Sequence, residues 1–84
     1  DPRVRMYAAS TLGNLGARDL LPYLVTLADD PQINVRYNAV EAMGRFYQRQ
    51  AIGALKEVLS HERAWYVSSY ALHALRVSLA RREK

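Results

Sequence analysis

The sequence predicts an all-α stack of antiparallel helix hairpins, and three observations carry that prediction. First, the chain repeats itself. Sliding it by 31 residues lays Val4-Arg5-Met6-Tyr7-Ala8 on Val35-Arg36-Tyr37-Asn38-Ala39 and Leu12-Gly13 on Met43-Gly44, and a further step of 32 lays Val35, Ala39, Ala42 and Met43 on Val67, Ala71, Ala74 and Leu75. Second, apolar residues inside the repeat recur at the period of a helix. Third, no segment shows sustained period-two alternation or a hairpin dipeptide such as Asn-Gly, so strands have no support.

Two kinds of helix, A and B, alternate along the chain. A1, about 3–15, follows Asp1-Pro2, a pair suited to a helix entry because proline fixes φ and is tolerated in a first turn. It ends at Gly16, read as the left-handed C-terminal position, and Tyr7 is expected half-buried beside the core stripe. B1, about 18–28, carries Leu20, Leu21, Leu24, Leu27 and Ala28, with Asp19 available as a cap ahead of Pro22. A2, about 33–47, opens after Asp30-Pro31 and lines up Val35, Ala39, Ala42, Met43 and Phe46. In B2, about 49–60, Ala51, Ile52, Leu55, Val58 and Leu59 form one stripe at helical spacing. A3, about 64–81, repeats the A pattern, with Trp65 expected to staple its start and Tyr70 to be half-buried. Tyr23 and Tyr37 are the tyrosines expected at the surface.

Gly13 and Gly44 lie inside A helices, where each costs roughly 1 kcal/mol relative to alanine. Their recurrence at one register points to close helix approach. One hairpin cannot bury its stripe alone, whereas stacked hairpins share a continuous core. The expected architecture is therefore an α-solenoid, a right-handed superhelix with A helices outside and B helices inside. It has about five helices in two and a half repeats (about 1–29, 30–61 and 62–84) forming one domain. The chain opens on Asp1 without a methionine and A1 has no preceding partner, so a segment of a longer protein is expected. The polar tail Arg81-Arg82-Glu83-Lys84 suits a chain end.

Composition narrows the chemistry. At 84 residues the core is thin, since chains of this size bury only about 60–65% of their unfolded surface. Twelve cations against eight anions leave a mild net charge of +4, compatible with acidic partners without implying them. No cysteine is present, which removes disulfides, thiolate metal sites and thiol nucleophiles, and the cytoplasm is the expected compartment. No apolar run approaches the roughly 20 residues of a membrane span.

The pattern Asp-Pro, a short spacer, Val-Arg, Ala-x-x-Ala-Met-Gly, a turn, then Ala-Ile-x-x-Leu-x-x-Val-Leu resembles the HEAT-like repeats named after phycobilin lyases. The resemblance covers nearly the whole chain. It implies a ladder of charge-assisted hydrogen bonds between repeats, with Asp30 accepting from Arg5 or Arg36 and Glu62 accepting from Arg36. It also implies that B helices line the ligand-binding concave face.

Several constellations invite a catalytic reading and fail on position. His61-Glu62 resembles the His-Glu pairs of di-iron HEAT oxygenases, but those pairs open the A helices directly after Val-Arg, where this chain has Met6-Tyr7, Tyr37-Asn38 and Ser69-Tyr70. His73 reads as a surface side chain with no second ligand spaced to join it. Ser60 and the other serines have no base at a helical spacing, and there is neither a Gly-x-Ser-x-Gly elbow nor a phosphate loop. Catalytic, cofactor-binding and metal-binding residues are therefore expected to be absent. The expected role is a non-enzymatic scaffold or adaptor that binds another protein through Tyr23, Thr26, Arg49, Lys56 and Glu57 on the B helices, or self-associates through open solenoid ends. Alternatives are part of a phycobilin-lyase-like or cofactor-protein assembly factor, and a nucleic-acid-binding module. The last would need cations repeated along the B face, where only Lys56 qualifies, with Arg18 and Arg49 at helix starts.

Overall fold

The computed structural model describes residues 1–47 and 49–82, and they form five α-helices: α1 (Pro2–Leu15), α2 (Leu21–Leu27), α3 (Ile33–Phe46), α4 (Ile52–His61) and α5 (Trp65–Arg82). Among the described residues there is no strand. Glu83 and Lys84, the end of the polar tail, lie outside the described residues. The helices are those expected from the repeat, α1, α3 and α5 being the A type and α2 and α4 the B type. One boundary differs for a local reason. Arg18–Leu20 form a short 3₁₀ turn, so α2 begins only at Leu21, and its N-terminus has no side-chain cap; Asp19 does not supply one.

A carboxylate stands at the start of each A helix, as the N-cap itself at Asp1 and in the turn ahead of the cap residue Gln32 at Asp30. Asp1 Oδ1 accepts the Arg3 N–H at 3.0 Å, Asp30 Oδ1 accepts the Gln32 N–H at 2.9 Å, and Glu62 Oε2 accepts the Ala64 N–H at 3.0 Å. Each carboxylate satisfies a backbone donor that the helix itself leaves free and places negative charge at the positive end of the dipole. At the other end of α1, Gly16 takes φ 63° and its N–H bonds back to Gly13 and Leu12 carbonyls.

The A helices stack in order, α1 on α3 on α5, while α2 leans on α1 and α3 and α4 packs chiefly on α5. The buried stripe runs through every layer: Ala9, Leu24, Val40, Met43, Leu55, Val67 and Ala71 are fully enclosed. Each large member contributes on the order of 1.5–3 kcal/mol by leaving water. The two A-helix glycines sit at the seams. A Cβ on Gly13 would lie 2.7 Å from the Ala42 Cβ, and one on Gly44 would lie 2.7 Å from the Ala74 Cβ, so the backbones approach more closely than any side chain permits. Tyr47 closes the end of α3, burying its ring and donating its hydroxyl to the Leu12 carbonyl at 2.7 Å. Burial, with some help from the charge of Asp19, pushes that phenol above its ordinary range.

Three aromatic expectations are overturned. Tyr7 is 72% exposed, because it lies on the side of α1 that in α3 and α5 faces a preceding A helix. Asn38, at the same register, donates to the Met6 carbonyl across that seam at 3.4 Å, and Tyr70 packs beside Gly44, whereas Tyr7 has nothing before it. Trp65 is 77% exposed, with its ring edge-on to that of its neighbour Tyr66 at a centroid distance of 5.7 Å, so it does not staple α5. Tyr37 is half-buried, its ring set 5.6 Å from Tyr66 and 5.8 Å from Tyr70. It faces forward onto the next A helix.

Candidate functional site: the cleft between the B helices

Because α2 and α4 lean on different A helices, a cleft of about 470 Å³ opens between them. Helical spacing builds both walls. Val25, Ala28 and Asp29 come from α2 and its C-terminal turn, Ala54, Glu57, Val58 and His61 come from one side of α4, and Met43 of α3 lies at the back. The interior is apolar and the rim polar, the composition of ligand and peptide sites in general.

A second groove is lined by Ala8, Leu12, Leu20, Tyr23, Thr26 and Leu27. The 31-residue register relates the two. Leu12 corresponds to Met43, Tyr23 to Ala54, Thr26 to Glu57 and Leu27 to Val58. They are one face in successive repeats, and only the cleft has a wall from a preceding B helix. At the cleft the chain carries a small residue and an acid where the outer groove has a tyrosine and a threonine.

The residues singled out from the sequence are divided by this geometry. Tyr23, 62% exposed, and Thr26 line the outer groove, with the Thr26 hydroxyl donating to the Pro22 carbonyl at 3.2 Å. Glu57 lines the cleft. Arg49 and Lys56 are exposed and line neither. Val25 and His61 also line the cleft, as does Ala54, which the sequence reading did not single out. The repeat register could have found Ala54, because it superposes that residue on Tyr23.

The four ladder residues meet in two pairs. Arg5 grips Asp30 through two bonds, the Nη2–Oδ1 contact measuring 3.1 Å, and Arg36 grips Glu62 at 2.9 and 3.2 Å. Arg36 also donates to the Asp30 and Pro31 carbonyls at 3.0 and 3.1 Å, tying its own turn to the next. The hydrogen bond from Arg5, with the Gln32 N–H and the nearby guanidinium charges, holds Asp30 below the usual carboxylate range despite its burial. Burial pushes Glu62 upward most strongly, but Arg36 and the Ala64 N–H together outweigh it and leave that carboxyl below its ordinary value. These are fork-on-carboxylate contacts between neighbouring repeats. At α5 the arginine position is taken by Ser68, which donates back to the Glu62 carbonyl at 3.2 Å, so the ladder stops there.

At one edge of the cleft, Ser60 Oγ lies 3.4 Å from His61 Nδ1, and His61 Nε2 lies 3.6 Å from Asp29 Oδ1. The sequence reading had no base near Ser60, and the fold places one beside it. The order hydroxyl, imidazole, carboxylate is that of a nucleophilic relay, but the spacing is not. Both contacts are longer than the 2.6–3.2 Å such a relay uses, and Ser60 donates its proton to the Glu57 carbonyl at 2.7 Å. Among the described residues no group of three His, Cys, Asp or Glu side chains is placed to hold a metal ion, and no helix is long and apolar enough to cross a membrane.

A family model described as HEAT repeats matches residues 1–76. No curated protein and no solved structure matches the chain.

Proposed function

We propose, from the premise that this chain belongs to the HEAT repeats, that it is a non-enzymatic scaffold segment which binds a protein partner through the cleft between α2 and α4. The cytoplasm is the proposed setting. The observation that carries the reading is the cleft itself, apolar within and polar at the rim, built on helices held in register by the ladder. Walls that are already ordered oppose association with little conformational entropy, so modest contacts suffice for useful affinity.

The distribution of cations supports a protein partner over nucleic acid. Arg5 and Arg36 are spent on Asp30 and Glu62, and no row of cations lines the cleft. A groove that follows phosphates needs such a row. A photo-crosslinking amino acid at Lys56, near the cleft, should capture a discrete protein in cells expressing the parent protein, while the same group at the exposed His73 of α5 should not. Equal capture at both positions, or capture at neither, would refute the proposal.

A further inference from the structure

The charges at the cleft are distributed differently from those of the rest of the chain. Of the carboxylates near the inter-repeat turns, Asp30 and Glu62 are neutralised by bidentate arginines. Asp29 and Glu57 are not. Among the described residues Asp29, which is exposed, has an ion-pair partner only in His61, at 3.6 Å, and the Glu57 carboxylate has none. Both stand on the rim of the same apolar cleft. Arg63 lines the neighbouring cleft beside Asp29 and His61, but not this one.

The chain also provides an internal comparison. At the equivalent positions of the first repeat, Tyr23 and Thr26 are uncharged and the larger ring occupies the groove. Replacing that pair by Ala54 and Glu57 makes room and adds a negative charge at one place. The Glu57 side chain is exposed on the cleft, while Ala54 lines the cleft and also packs against the core.

We infer that the cleft takes a cationic peptide segment, with an apolar side chain seated between Val25, Ala54 and Val58 and a flanking lysine or arginine reaching Asp29 and Glu57. The inference rests on the scaffold reading above and adds the chemistry of the partner. The net charge of +4 does not oppose it at physiological salt, because charges beyond a Debye length of about 8 Å are largely screened while contacts at the rim are not. A volume of about 470 Å³ suits one large apolar side chain with its neighbouring backbone, not a whole helix.

Amide NMR on the 84-residue chain tests this with two synthetic ten-residue peptides that share a central leucine, one flanked by lysines and the other by glutamates. The lysine peptide should shift the amides of Ala28, Ala54, Val58 and His61 and bind roughly three- to tenfold more tightly than the glutamate peptide, the scale of exposed charge pairs. Glu57→Thr, which installs the first repeat's own residue, should reduce that preference, and Ala54→Tyr should block both peptides while the spectrum stays dispersed. If the two peptides shift the cleft equally, the cationic assignment falls and the scaffold reading stands. If neither shifts the cleft, or both shift the groove around Tyr23 instead, the inference falls, and the crosslinking experiment then judges the scaffold reading independently.

Discussion

Changing Gly44 to alanine tests whether the A helices touch as closely as their backbones indicate. In an unobstructed helix interior the substitution stabilises by roughly 0.5–1 kcal/mol, because alanine loses less backbone freedom on folding. At Gly44 the new Cβ would lie 2.7 Å from the Ala74 Cβ and 3.1 Å from Cε1 of Tyr70. The tyrosine can turn aside. The alanine methyl is fixed to α5, so α3 and α5 must separate by several tenths of an ångström. Overpacking of this kind costs about 1–3 kcal/mol, and a clash that no rotamer relieves belongs in the upper half of that range. The net expectation is a loss of about 1–2 kcal/mol, a fall in Tm of roughly 4–16 °C for a domain of this size. Gly53 is the control. It is exposed in the first turn of α4 with nothing within 4 Å of an added Cβ, so Gly53→Ala should raise Tm by a few degrees. Pairing Gly44→Ala with Ala74→Gly should recover much of the loss, which a thermal-denaturation double-mutant cycle measures. If Gly44→Ala stabilised the chain as much as Gly53→Ala, the close seam would be refuted.

Acid should weaken the fold through the ladder. Asp30 and Glu62 are held below their ordinary pKa values, so the stability they contribute is present above the unfolded values near 4 and is lost as pH falls through the lower folded values. Glu62→Gln should cost about 1–3 kcal/mol at pH 7 in urea denaturation and far less near pH 2, and a cost that did not shrink with pH would show that the charge is immaterial. Ser78 has the opposite sign. Its hydroxyl is fully buried without a hydrogen-bond partner among the described residues, so Ser78→Ala should stabilise by about 1 kcal/mol. A comparable loss of Tm would mean that the hydroxyl is satisfied after all.

The helices and their order were legible because each depends on local pattern: apolar spacing, Asp-Pro entries and the glycine at position 16. The close approach at Gly13 and Gly44 was legible too, since an unfavourable residue repeated at one register needs a reason. The aromatics were harder. Tyr7, Tyr37 and Trp65 differ in burial according to which neighbouring helix exists on each side, and a periodicity says which face a residue occupies without saying whether that face is covered. The cleft was hardest. Its walls come from helices 20 or more residues apart in sequence, and its width depends on α2 and α4 leaning on different partners.

That last dependence separates architecture from function within one repeat unit. At the A-helix positions the two seams are built alike: a carboxylate bonds the turn that leads into the next helix and receives the preceding arginine, and a glycine meets an alanine methyl. Sameness is required there, because each hairpin must present to the next the surface that the previous one presented to it. On the B helices the requirement ends one residue beyond the buried stripe. Leu24 and Leu55 are both fully enclosed at the same register, while their neighbours Tyr23 and Ala54, and Thr26 and Glu57, differ in size and charge. Stacking does not set the second difference, since Thr26 and Glu57 are exposed on grooves, whereas Ala54 also packs against the core. Any selectivity this chain has for a partner is therefore expected where the repeats disagree, as they do at the wall of the cleft.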